Sequence, residues 1–518
     1  MYEFSPTDEQ ELLMEAADQF MDSCGFDEEY FKRCYDEHRV PEEYYAALKE
    51  SPFGTLGLPE QFGGVPVDQV TMMLVQERFF RRNFPFNTPV LQIKDAQEFG
   101  SEEQLRKVTE ALKTKAMAFS LGISEPGAGS DSTCIASTAT RRDGKVYLNG
   151  TKTFITNAAY CPYILFVTRD LDTPHPYAGM TMWFVDASAP GITMSPMQKI
   201  GNKSAPICEV YFDNVEVEES DIFGKENNGF MQLVKNFELE RISIANQSLG
   251  QAEYCYLTAL EYAVTREQFG KPISSFQLIQ DKLAEMRVKI DNMRFQVLQA
   301  AWMKDNGKST QVESGLAKVY NAREAFEVCD MAMQILGGLG YTEESPVGRV
   351  WLDARMNRIG GGTDEIIIKS VGKELAKAEA KRLNRREGAT DERACLHREA
   401  RHGRCGDRAE QPGPQERHGS AHDEGAVCGR ARSAGRRRGA RDRAARRGRL
   451  LLLGGRSVRR GLRWPQKRGG EPRQHLRVRT RRLLYPELRE ALHRGGRGVR
   501  HGRWLQPRSG VRYGLCRR

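Results

Sequence analysis

Residues 357–370 read NRIGGGTDEIIIKS, three glycines ahead of Thr363, Asp364 and Glu365 and then an apolar run. Without Cβ atoms such a triplet lets backbone approach a bound molecule closely, and a carboxylate beside it could move a proton. A second run, LGISEPGAGSD at 121–131, offers backbone N–H groups around Gly127, Ala128 and Gly129 together with the hydroxyls of Ser124 and Ser130. A loop of this kind can cradle a pyrophosphate or the edge of a flavin ring, although taken alone its glycines need be no more than a turn. The third candidate is FELER, 237–241. On a helix starting near 230, Phe237, Glu240 and Ile244 share one stripe, and a carboxylate on an apolar stripe is costly unless used or paired. From the residues alone, Glu240 is more simply one of several surface acids on that helix.

The elements that must position these groups follow from periodicity. Residues 6 to about 118 read as helical: PTDEQELLMEAADQFMDSCG has Thr7 as an N-cap and acids in its first turn, and VDQVTMMLVQERFF and SEEQLRKVTEALKTK repeat the helical spacing. GLPEQFGG interrupts them as a loop. From about 119 to 222 the pattern becomes alternating, with Asp-Gly and Asn-Gly expected to turn hairpins in RRDGKVYLNGTKTFIT, and with YILFVTRD, MTMWFVDA and CEVYFDNVEVEE as further strands. From about 226 helical spacing returns in four long segments with short loops, which predicts a four-helix bundle. The expected boundaries are 1–118, 119–225 and 226–385, an α+β chain, followed by 386–518.

That last segment differs in composition. Residues 391–518 hold 35 Arg and one Lys against 12 acids, a net of +24 within a chain of +9, so the preceding residues carry −15. The segment contains seven of the nine His and no Ile, Phe, Met or Asn, so it has little to pack and is predicted to be disordered. A positive arm could bind nucleic acid. Its bias toward Arg, Gly and Ala also matches a GC-rich gene read in the wrong frame, and that reading is preferred here. In the first 390 residues seven cysteines form no CxxC pair, as expected of thiols in a reducing compartment. The acidic start MYEFSPTDEQELL is unlike a secretory signal, and no apolar run approaches the ~18 residues of a membrane span. A cytoplasmic location is the expectation, with no metal site.

Taken in order, the motifs FIT at 154–156, TREQFGKPISSFQLIQ at 265–280 and QILGGLGYTEESPVGRVWLD at 334–353, with the two glycine runs, resemble the acyl-CoA dehydrogenase family of flavoproteins over residues 1 to about 385. One family signature is met through Gly122, Ile123, Ser124, Glu125, Gly129, Ser130 and Asp131, with Cys134 where a small residue is usual. The other is met through Gln334, Gly337, Gly338, Gly340, Tyr341, Glu344, Arg349 and Asp353. The phrasing is most similar to the crotonobetainyl-CoA reductase branch. The resemblance implies an N-terminal helical domain, a β-barrel-like middle domain and a C-terminal four-helix bundle, with FAD as cofactor. Leu121, Ile123, Ser124, Gly129, Ser130, Ile155 and Thr156 would border the flavin, and Phe154, where many relatives carry Trp, would stack on its ring. Arg266, Gln268, Phe269, Gln277, Gln334, Gly337 and Gly338 would grip the ADP half, the Arg266–Phe269 and Gln334–Gly338 stretches coming from a neighbouring subunit. Thr363 and Glu365 would touch the same cofactor.

The implied reaction removes an α-proton and a β-hydride from an acyl-CoA, or runs in reverse on an enoyl-CoA, with hydride exchange at flavin N5. Thioester α-protons need a positioned carboxylate of raised pKa and a stabilised enolate oxygen. Many family members carry that carboxylate just before the Gly-Thr of the 357–370 motif, where this chain has Gly361, and Asp364 and Glu365 read as first-turn acids of the next helix. The isovaleryl-CoA dehydrogenase branch carries it one residue before an Arg on a long helix, which points to Glu240 ahead of Arg241. Gly361 would then bind the thioester carbonyl through its N–H, and Glu238 and Arg241 would border the substrate mouth with Ser130. Electrons would pass to an electron-transfer flavoprotein, and a dimer of dimers is implied. The alternatives are an oxygen-using acyl-CoA oxidase of the same fold and a nucleic-acid-binding protein acting through the basic tail.

Overall fold

Thr7 caps the first helix as its sequence predicts: its Oγ1 accepts from the Gln10 N–H at 3.3 Å and its own N–H donates to the Gln10 side chain at 3.0 Å. The computed structural model describes residues 5–85, 90–173 and 177–402. Among the described residues six α-helices come first: α1 (Asp8–Ser23), α2 (Glu28–Asp36), α3 (Glu42–Glu50), α4 (Gln69–Phe80), α5 (Val90–Phe99) and α6 (Glu102–Thr114). Ser101 and Gln104 repeat the capping box on α6. The Thr71–Glu77 run and Phe79 of α4 are buried. Such a helix must be covered on most sides, and α4 is, by α1 and by two helices from the far end of the chain.

The middle of the chain forms two sheets. β1 (Phe119–Gly122) lies parallel to β4 (Tyr163–Arg169), which pairs antiparallel with β5 (Met180–Asp186). β2 (Thr138–Arg142), β3 (Lys145–Thr156), β7 (Ile207–Val217) and β6 (Ile192–Met197) form the second, all antiparallel. Their inner faces share one core, in which Phe166 stacks on Phe212 with ring centroids 3.8 Å apart beside buried Leu148, Trp183 and Val210. The expected barrel-like middle domain is thus a pair of facing sheets. Asp143 and Gly144, both at positive φ, turn β2 into β3 as expected. Asn149-Gly150 does not turn the chain. It lies inside β3 at a register shift, where a Cβ on Gly150 would meet Ser137 Oγ at 2.1 Å, so its glycine serves a bulge against a neighbouring segment.

The helical remainder comprises α7 (Gly229–Thr265), a short hairpin of β8 (Glu267–Gln268) and β9 (Lys271–Pro272), α8 (Gln277–Asp305), α9 (Gln311–Leu336), α10 (Pro346–Met356) and α11 (Asp364–His402). Buried alanines on α7 (Ala252, Ala259, Ala263) and α9 (Ala325, Ala332) let those two backbones pack closely. The first turns of α11 join α9 through Val319, Ile367 and Val371, completing the four-helix arrangement. α11 continues past the expected end at 385 because the Ala, Glu, Arg and Leu that dominate the following residues are good helix formers with no proline among them. The expected disorder and basic-arm readings otherwise concern residues 403–518, which lie outside the described residues. Cys24, Cys34, Cys134, Cys161, Cys208, Cys255 and Cys329 are free thiols, and among the described residues no helix is long and apolar enough to cross a membrane.

Candidate active site

The chain turns from β1 into the 121–131 loop, and a buried ion pair fixes that loop. Lys152 on β3, fully buried, donates to Glu125 at 2.7 Å and to the Ile123 carbonyl at 3.2 Å. Glu125 also accepts from the N–H groups of Ala136 (2.6 Å) and Ser137 (3.0 Å). Burial would raise the Glu125 carboxyl, but Lys152 and these hydrogen bonds outweigh it and hold the group below its usual value. Burial takes Lys152 down to about 8 against the pull of Glu125. Thr153 N–H completes the anchor on Ser124 O at 2.8 Å. Beyond the anchor, a Cβ on Gly127 or Gly129 would meet nothing within 4 Å, so the backbone there is open.

Gly129 faces a cavity of about 1910 Å³, larger than the usual small-molecule pocket of roughly 300–1,000 Å³. Leu121, Ile123, Ser124, Gly129, Ser130, Phe154, Ile155 and Thr156 line one side of it. Phe154 sits at φ +62°, in a left-handed conformation that costs an aromatic residue energy, at a second register shift of β3. The shift aims its ring outward, and it is 62 % exposed where the strand would otherwise bury or pair it. An apolar ring presented at strain to a cavity, next to open backbone N–H groups, suits a flat aromatic cofactor carrying phosphates.

The opposite wall comes from α7 and the α10–α11 turn. Phe237, Glu240 and Ile244 all line the cavity, as the stripe on α7 predicts. Gly361 faces them at φ +64°, and a Cβ placed on it would lie 3.8 Å from Glu240 Oε1 and 2.5 Å from Ile244 Cδ1. Two positions 121 residues apart in the chain therefore address one point in space. Burial pushes the Glu240 carboxyl above its ordinary value, opposed by Arg241 and Lys318. Arg241 also lines the cavity, its guanidinium 5.6 Å from the Phe237 ring centre and its Nε buried without a partner. Thr363 lines the cavity too, while its hydroxyl accepts from Ile366 N–H at 3.4 Å.

Other expected residues stand elsewhere. Glu238 does not line the cavity, because one residue of α7 turns it to the other side. There it accepts from Lys304 (3.2 Å) and Thr310 (2.8 Å) instead of bordering a mouth or pairing with Arg241. Glu365 is exposed at the start of α11 and lies outside the cavity lining. Asp364 is a first-turn acid of α11 as expected, but it is buried, with Arg323 and Arg358 each 3.0 Å from its Oδ2. Arg266, Gln268, Phe269, Gln277, Gln334, Gly337 and Gly338 are all exposed and outside the cavity, Phe269 at 93 %.

The structure adds two residues that the sequence reading passed over. Asp95 on α5 lines the cavity, accepts from Asn236 at 2.9 Å, and is pushed up to about 7 by burial and by the charge of Glu240. Lys318 on α9 is fully buried and donates to the Gly362 carbonyl at 2.7 Å. It had a signal: Ser314, Ala317, Lys318, Asn321 and Ala325 recur at helical spacing, and a lysine on so small and apolar a stripe must have a partner.

The three-part fold and the open-backed cavity define a flavin-binding dehydrogenase architecture. Three family models agree with it: acyl-CoA dehydrogenase N-terminal domain over residues 7–115, middle domain over 120–215, and C-terminal domain over 227–376. The chain belongs to the acyl-CoA dehydrogenase family, FAD-dependent oxidoreductases acting on CH–CH groups. It is 47 % identical over 378 residues to the Escherichia coli K12 protein named "Probable acyl-CoA dehydrogenase YdiO", a span of 72 % of this chain and 98 % of that one. Butyryl-CoA dehydrogenase from Megasphaera elsdenii superposes with a TM-score of 0.66 at 29 % identity, covering 72 % of this chain and all of that one. A structure titled as the electron transferring flavoprotein of Acidaminococcus fermentans gives 0.68 at 28 % identity, covering 72 % and 99 %.

Proposed function

We propose that the protein dehydrogenates a short or branched acyl-CoA, or reduces the corresponding enoyl-CoA, with Glu240 as the base that takes or returns the α-proton. The observation that supports this reading is the approach of Glu240 to Gly361: the carboxylate reaches the point that a side chain at 361 would occupy. Burial favours its protonated form, so the carboxylate binds an α-proton more avidly than a solvated one would. The bare Gly361 backbone leaves room for a thioester carbonyl to meet its N–H, where enolate charge would develop. Arg241, with a buried Nε awaiting an acceptor, anchors the polar part of the substrate near Glu240.

Ser124, Gly129, Ser130, Phe154 and Thr156 would hold the flavin, with Leu121, Ile123, Ile155 and Thr363 completing its surround. When bound, the flavin supplies the acceptor for the hydride that leaves the β-carbon. Microscopic reversibility gives the same residues the same positions in enoyl-CoA reduction. The exposed groups from Arg266 to Gln277 and from Gln334 to Gly338 fit contact with another subunit's cofactor, so a homo-oligomer is part of this reading, as is an electron-transfer flavoprotein as redox partner.

The decisive measurement is exchange of the α-protons of a bound acyl-CoA with deuterated solvent. Glu240→Gln should keep its flavin absorbance and lose exchange by roughly 10²-fold or more. Exchange at the wild-type rate would place the base elsewhere.

A further inference from the structure

Glycine triplets are floppy, yet this one has to hold a backbone donor still beside Glu240. Gly361 and Gly362 both take left-handed φ, +64° and +97°, and without side chains nothing of their own restrains them. Two clips close the turn at its ends: Asp364 N–H donates to the Arg358 carbonyl at 3.2 Å, and Arg358 Nε pairs with Asp364 at 3.0 Å. Among the described residues, one side chain bonds inside the triplet. It is Lys318, whose ammonium reaches the Gly362 carbonyl at 2.7 Å and stands 3.9 Å from Asp364.

We propose that Lys318 is a positioning residue for the proton transfer: its ammonium clamps the Gly362 carbonyl, fixing the Gly361 backbone opposite Glu240, and presents a buried positive charge to that carboxylate. The inference rests on Glu240 being the base. A fully buried ammonium is expensive unless its donors are used. Here the carbonyl takes one, and the Asp364 carboxylate balances the charge while being shared with Arg323 and Arg358. Both arginines engage Asp364 Oδ2, whereas Lys318 stands beyond hydrogen-bond reach of the buried Oδ1 and gives its hydrogen bond to the Gly362 carbonyl instead. The surplus positive charge is felt across the cavity wall, where it opposes the rise that burial imposes on Glu240. The charged groups facing Glu240 are Arg241 on its own helix, Lys318 on α9 and Asp95 on α5. Those acting on Lys318 are Asp364, Glu240 and Glu365 as anions and Arg241 as a cation. Burial pulls Lys318 down to about 8, so near neutral pH it remains mostly the cation that the clamp requires.

Lys318→Met keeps the length and removes both donor and charge, whereas Lys318→Gln keeps a neutral donor. In flavin-loaded protein, Lys318→Met should slow α-proton exchange by roughly 10- to 100-fold, up to what a misplacement of about 1 Å can cost. The acid limb of its pH profile should move to higher pH, because Glu240 loses a neighbour that favours its anion. Lys318→Gln should show the same limb shift with a smaller loss of rate. Arg323→Gln, which removes a partner of Asp364 without touching Gly362, should leave rate and profile unchanged. Calorimetric affinity for acetoacetyl-CoA, an enolate-like ligand, should fall in Lys318→Met as a readout separate from turnover. If Lys318→Met loses flavin, the Lys318→Gln profile decides. An unshifted acid limb in a flavin-loaded variant overturns the inference, as does an equal shift in Arg323→Gln. The assignment of the base fails separately, through exchange that persists in Glu240→Gln.

Discussion

The two glycine-rich turns of this cavity are built alike and used oppositely. Each is tethered by a fully buried lysine that bonds a main-chain carbonyl and faces a carboxylate, Lys152 with Ile123 and Glu125 in one, Lys318 with Gly362 and, at 3.9 Å, Asp364 in the other. At Gly127 and Gly129 the space a Cβ would take is empty, and glycine there keeps N–H groups reachable. At Gly361 it is filled by Ile244, and glycine there is what lets two walls approach with a carboxylate between them. The anchors differ too. Glu125 and Lys152 form a 2.7 Å pair with further backbone bonds, while Asp364 spreads over three cations and leaves Lys318 free to serve the turn. The same residue type thus opens backbone to a ligand in one wall and excludes volume in the other, and composition alone does not distinguish the uses.

Breaking the tighter anchor should have the largest effect. Lys152→Met leaves Glu125 buried without its cation, a change that costs roughly 3–5 kcal/mol, and denaturant melts should show it together with lost flavin. If that variant melts like wild type, the first turn is not held as described. The second turn is sharpened by Gly361→Ala, for which the φ of +64° and the meeting with Ile244 Cδ1 predict about 1–2 kcal/mol of destabilisation. Its exchange rate should fall more than its stability, since Ile244 is displaced toward Glu240. Moving the base across the cavity, as Glu240→Gly with Gly361→Glu, should fail until Ile244 is cut to Ala, and recovery of exchange in the triple variant would tie the two positions to one point.

Asp95 offers a pH test on the wall near Glu240. Its folded value of about 7 stands above the ordinary 3.8, so the unfolded chain gives up this proton first and stability falls as pH rises between those values. Wild type should therefore lose Tm relative to Asp95→Asn between pH 5 and pH 8; parallel curves would show that Asp95 carries no such strain. The smallest effect belongs to Gly129→Ala. Nothing lies within 4 Å of the added methyl, so stability should change by less than about 0.5 kcal/mol while flavin affinity, by fluorescence titration, drops.

Much of the architecture was legible along the chain, because caps and periodicity are local. Thr7 caps its helix as expected, Asp143-Gly144 turns its hairpin, and α7 stops at Thr265 ahead of the expected break. Asn149-Gly150 misled because a turn dipeptide and a bulge dipeptide look alike until Ser137 is known to press against the glycine. Asp364 read correctly as a first-turn acid, but nothing nearby announces that Arg323, 41 residues earlier, folds onto it.

Sequence by itself determined the family, the order of helical, sheet and helical parts, and the pool of groups able to do chemistry, for these follow from motif, period and residue type. It also showed that position 361 has no side chain. Only the tertiary structure decided that Glu240 comes within 3.8 Å of the place that side chain would begin, that Glu238 turns away to Lys304 and Thr310, and that Lys318 reaches Gly362. Those facts depend on how α7, α9 and the α10–α11 turn pack. Such long-range contacts are set by the summed burial of many side chains, and no short stretch of sequence carries them.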